Sequence, residues 1–131
     1  MTRILLAGLG LLGLQTIHGL DHLLLQDRAL PGAIAVLGVI ESSAVIAVMV
    51  LAWRGSRHAP VAALLAGTGV ALAFVTAHLL PEWGALSDPY ADASLDASSW
   101  VIMFAGLAGG LTLALAGALA LSERATTLRR S

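Results

Sequence analysis

Four apolar runs, Ile4 to Leu25, Gly32 to Trp53, Val61 to Leu80 and Trp100 to Leu121, take up most of the chain. Each is long enough to cross the hydrocarbon core of a bilayer as an α-helix, which takes about 20 residues. The 131 residues are 58% hydrophobic and 11% charged, with a mean hydropathy of +0.89. A soluble domain of this size has too little interior to hide so much apolar surface. The expected fold is therefore all-α, a polytopic membrane protein in which residues 1–131 form a single bundle of four transmembrane helices. No stretch is left for a separate soluble domain.

The boundaries of the runs carry the expected punctuation. Pro31 and Pro60 each open a run, where the missing N–H costs nothing because first-turn donors have no intrahelical partner. Pro81 closes the third run, and Ser98 or Ser99 can cap the fourth. Trp83, Tyr90 and Trp100 gather near one boundary and Trp53 marks the other, as amphipathic rings do at headgroup level.

Charge sets the orientation. The basic residues are seven arginines and no lysine. Arg3, Arg54, Arg57, Arg124, Arg129 and Arg130 fall on segments that four crossings place on one side, which the positive-inside rule makes cytoplasmic. The opposite side carries Asp27 and Arg28 in the first loop, and Asp88, Asp92 and Asp96 in the third. Both termini are thus expected inside. Arg3 ahead of an apolar run resembles the start of a signal peptide, but no small-residue cleavage pattern follows, so the run is expected to stay as the first helix. An arginine-only basic set with abundant Ala, Gly and Leu looks like high-GC bacterial coding, which points to a bacterial plasma membrane. The lipid bilayer is the expected partner, and nucleic acid is not one.

Polar residues inside the apolar runs are where function is sought. Gln15, His18 and His22 share one narrow face of the first helix, because positions three and four apart lie above one another. Asp21 points elsewhere. At about 1.5 Å per residue, His22 falls near the outer end of helix one and His18 about one turn deeper. Glu41 lies roughly 13 to 15 Å below the outer surface. His78 is in the last outer turn of helix three and Glu82 is at the surface. A charged carboxylate near the midplane costs about 2.5–3.5 kcal/mol even on the lenient insertion scale. Glu41 must be paired or protonated, and His18 or Gln15 is its expected partner. Ser42 and Ser43 are expected to bond to the preceding turn.

His18, His22 and His78, with Glu41 or Glu82, match the ligand count of a tetrahedral site for zinc, copper or iron. Pro81 interrupts the helix between His78 and Glu82 and weakens the last of these. A haem b would instead use two of the three histidines as axial ligands on facing helices. Cysteine is absent, which removes disulfides and thiolate sites. The interval His18-Gly19-Leu20-Asp21-His22 has two residues between the first histidine and the aspartate, unlike the H-x4-D-H signature of nickel and cobalt permeases. It also has glycine where the H-E-x-x-H of metalloproteases has glutamate.

Three other readings stand beside the metal or haem site. A proton-coupled transporter of small solutes or cations would use Glu41. The chain is similar in size to the small multidrug transporters, whose essential glutamate lies in the first helix rather than the second, so the likeness is one of architecture. An intramembrane enzyme would use a His and Glu pair on a lipid-like substrate, and a structural subunit would merely bond its polar groups to each other. Asp88, Asp92 and Asp96 would share a face of a short helix started by Asp88 and Pro89 and collect cations, or form an ordinary solvated acidic loop. Gly106, Gly110 and Ala114 make a small-residue stripe that admits a close backbone, either a second copy in a homodimer or a neighbouring helix.

Overall fold

In the computed structural model, residues 1–26, 30–91 and 95–129 are described. Four long helices account for most of them: α1 (Thr2–Leu24), α2 (Gly32–Trp53), α3 (Ala59–Phe74) and α4 (Ala97–Leu128). A π-helical turn, Val75–Leu79, continues α3. The helices, with α3 and its π turn taken together, are long and apolar enough to cross a membrane. Pro60 stands in the first turn of α3 and Pro31 immediately precedes α2, where a ring without an N–H is tolerated. The fourth helix begins earlier and ends later than its apolar run, with Asp96 rather than Ser98 or Ser99 at its N-cap position.

Each helix packs on its neighbours in chain order, and α4 closes the ring against α1. The result is an up-down-up-down bundle in which α1 and α3 face one another across the diagonal. Arg3 pairs with Glu123 at 2.7 Å, and Arg124 donates to the Arg57 carbonyl. Both chain ends and the 54–58 connection therefore share one end of the bundle. Residues 80–91, which follow the π turn, lie at the other, called here the loop end.

The ring is not evenly tight. Between α3 and α4 the backbones touch: a Cβ on Gly67 would meet the Gly110 carbonyl oxygen at 2.6 Å, and one on Gly117 would meet the Leu64 nitrogen at 2.6 Å. Gly110 in turn faces the Ala71 nitrogen at 2.9 Å, and Gly106 faces the Phe74 ring. The Gly106, Gly110 and Ala114 stripe is thus covered by α3 of the same chain. Of the two partners the spacing admits, the neighbouring helix occupies it, because small residues let two backbones approach within dispersion contact. The second helix has no such seam, and only Val45, Val48 and Ala52 of its 22 residues are buried.

Gly67→Ala is expected to destabilise the bundle by about 1–3 kcal/mol through overpacking of a seam that has no slack. Gly69→Ala, whose added methyl meets nothing within 4 Å, should be neutral or mildly stabilising. Thermal unfolding of the two variants in detergent checks the contrast, and equal losses would contradict the seam.

Candidate metal centre

The periodicity of α1 puts His18 and His22 one turn apart on the face turned to the bundle interior, and the π turn delivers His78 from across the diagonal. Their rings are in mutual contact, with centroid separations of 4.6 Å (His18 to His22), 5.1 Å (His18 to His78) and 5.6 Å (His22 to His78). One nitrogen from each lies within 4.8 Å of the other two, and the group can hold a metal ion. Among the described residues no other group of His, Asp and Glu meets that separation. His22 and His78 are buried and His18 is half-buried.

The loop that follows the π turn explains how His78 is held. A helix ends with carbonyls that lack intrahelical partners, and Pro81 offers no N–H to continue the ladder. Here Thr76, Ala77 and His78 are served from the loop instead. Trp83 Nε1 donates to the Thr76 carbonyl at 2.8 Å, Asp88 N to Ala77 at 2.8 Å and Tyr90 N to His78 at 3.0 Å. Residues 88–90 are thereby laid back over the histidines. His78 Nδ1 stands 3.1 Å from the Asp88 carbonyl oxygen, which only accepts, so the proton of a neutral ring sits on Nδ1. His78 Nε2 then presents its lone pair to His18 Nε2, 3.3 Å away. Two imidazole nitrogens at that distance are held together by one shared proton or by a common cation. The other His18 nitrogen, Nδ1, is buried and makes no hydrogen bond.

Asp88 is the residue that sequence reasoning placed wrongly. Its carboxylate is buried, 3.7 Å from His22 Nδ1 and 3.9 Å from His78 Nδ1, not exposed in an acidic collector. No helix forms after Asp88 and Pro89 among the described residues, because the Asp88 and Tyr90 amides are already bonded to the end of the π turn. Asp96 is exposed at the start of α4, and Asp92 lies outside the described residues. Tyr90 is not a headgroup anchor either. It is fully buried, its ring 4.6 Å from that of His78 and edge-on to Trp100 at 5.5 Å.

Asp21 belongs to a second network. Ser99 Oγ donates to its Oδ1 at 2.9 Å, and Gln26 Nε2 donates to its Oδ2 at 2.7 Å and approaches the Tyr90 hydroxyl at 3.2 Å. Ser99 is thus not a helix cap but a clasp between α4 and α1. The carboxylate has no cation opposite it in these contacts; neutral donors stabilise it.

The remaining candidates divide by position. Glu82 is exposed beyond Pro81, outside the histidine group. Glu41 lies on the α2 wall of a cavity of about 400 Å³ between α1, α2 and α3, which His18, His22 and His78 also line. Gln15 stands against its carboxylate, and Ser42 Oγ reaches the Gln15 carbonyl oxygen at 3.5 Å. Ser43 bonds to the preceding turn at Val39, as its position implies; Ser42 faces the cavity instead. No protein family, curated protein or solved structure matches the chain.

Ser99→Ala removes a donor from a buried carboxylate and should cost about 1–3 kcal/mol of stability, read as a fall in the unfolding midpoint in detergent. Ser98→Ala, at an exposed neighbour, should leave the midpoint unchanged. A silent Ser99→Ala would mean that Asp21 does not depend on this clasp.

Proposed function

We propose that the protein is an integral membrane protein that binds a divalent transition-metal ion through His18, His22 and His78. The observation that carries this reading is the convergence of three imidazoles, from two diagonal helices, on one small volume. Zinc fits best. With zinc–nitrogen bonds of about 2.0–2.1 Å, two nitrogens on a tetrahedral ion stand about 3.3–3.4 Å apart, and His18 and His78 already have that spacing. Copper and iron also accept imidazole. A bis-histidine haem fits less well, since a porphyrin would have to pass between rings that are in hydrogen-bond contact.

Asp88 would do for this centre what carboxylates and carbonyls commonly do behind ligating histidines, fixing ring orientation and raising basicity. Its negative charge also offsets that of the cation in a water-poor layer. The three imidazoles line the cavity, so an ion held by them would have water or a substrate within reach. Glu41 on the facing wall is within the same space and is the residue that a proton-coupled transport activity would use. The distribution of arginines supports an external loop end and cytoplasmic termini, and the arginine-only, Ala-, Gly- and Leu-rich composition supports a bacterial plasma membrane.

Protein purified without chelator is expected to carry a single zinc-like ion per chain by elemental analysis, and no Soret absorption. His18→Ala and His78→Ala should abolish loading. His58→Ala, in the connection at the terminal end, and Glu82→Gln should not. Asp88→Asn should weaken affinity by about 10–100-fold, as loss of an orienting partner does. Metal-free protein that takes up no added zinc, or loading indifferent to His18→Ala, would falsify the proposal.

A further inference from the structure

We infer that the cavity between α1, α2 and α3 is a binding site for an amphiphilic amine, whose ammonium group pairs with Glu41 and whose hydrocarbon body lies along the α2 wall. The inference goes beyond the metal reading and stands on different residues.

Glu41 is the starting point. A carboxylate accepts several hydrogen bonds, yet the side chain against this one is the single amide of Gln15. Ser42 gives its proton to the Gln15 carbonyl oxygen and not to Glu41, and among the described residues no arginine lines the cavity. Asp21, the buried carboxylate of α1, shows how this protein satisfies a buried acid: two donors, one on each oxygen, inside a closed seam. Glu41 has no such closure. It lines an open space of about 400 Å³, so a group that enters can supply the further donor.

The lining states what enters. Apart from the histidines and the Gln15, Glu41 and Ser42 group, the walls are aliphatic or aromatic, including Leu23, Ile34, Leu37 and Phe74. Such a space takes a hydrocarbon body with a single polar head. The head must donate hydrogen bonds to Glu41. A cationic head also cancels its charge, which matters where few protein dipoles and little water are at hand. An ammonium meets both needs, a hydroxyl only the first. The site has a floor as well. Toward the terminal end, Leu11, Val45 and Val48 are buried, and Met49 fills the space beside Gly8, so the cavity is a pocket with its head group at the bottom rather than a continuous channel. Gln15 is three residues before His18 on α1, about 4.5 Å nearer the terminal end. The amine is therefore seated below the histidine layer and does not need it.

The test uses full-length protein in lipid nanodiscs and a dodecylamine carrying a photoreactive diazirine on its chain, with adducts located by mass spectrometry. Saturable labelling of residues lining the cavity, competed by dodecylamine but not by dodecanol, is expected. Glu41→Gln should reduce it on the order of tenfold or more, as truncating one partner of a buried charge pair does. Ile34→Trp, which fills the cavity without touching Glu41, should block labelling too and covers the case in which Glu41→Gln fails to fold. Labelling should survive chelation, which separates this site from the metal centre. Equal competition by the alcohol, or labelling unchanged in both Glu41→Gln and Ile34→Trp, would overturn the inference.

Discussion

Polar atoms in a layer that water does not reach can be satisfied only by one another, and the loop end of this bundle is organised by that constraint. The decisive instance is the set of carbonyls at the end of the π turn. Because Pro81 cannot supply an amide, Thr76, Ala77 and His78 accept from Trp83, Asp88 and Tyr90. Those bonds bring the loop down onto the histidines. They also fix the tautomer of His78 and put the Asp88 carboxylate behind two imidazoles. A π turn is rare and tends to occur where a helix has been re-aimed for a purpose. Here it turns His78 into the diagonal space opposite His18.

The second organising fact is the unequal tightness of the four seams. Glycines let α3 and α4 approach until backbone meets backbone, and α1 closes on α4 with its buried Leu11 against Gly109 and with the Asp21 to Ser99 clasp. The second helix has no comparable device, and most of its residues keep some exposure. The cavity is the volume left by this asymmetry. It lies where packing is weakest, beside the helix that brings Glu41 to the cavity.

Much of this was legible in the residues, and the rest was hidden for identifiable reasons. Four helices follow from four apolar runs, since length and hydropathy suffice. The shared face of Gln15, His18 and His22 follows from the 3.6-residue period, and all three line the cavity. Glu41 meets Gln15 because a carboxylate at that depth has few other polar groups within reach. Asp88 and Tyr90 could not be placed, because an irregular loop has no period to read and its path was decided by orphan carbonyls on another element. The direction of the glycine stripe was equally hidden, since small residues invite a close neighbour without saying which. Ser99 reads as a cap by position, but the pull of a buried Asp21 outweighed that preference.

Asp21 and His22 are adjacent in sequence but serve different networks, one facing α4 and Gln26, the other the imidazole layer. Successive residues on a helix are about 100° apart, so a slip of one position would carry the acid into the imidazole layer and the ring into the clasp. Neither exchange is chemically neutral. The interval from Gln15 to Gln26 can therefore vary in its apolar side chains, but not in its length. An inserted or deleted residue there would rotate one network out of place whichever way the helix settled.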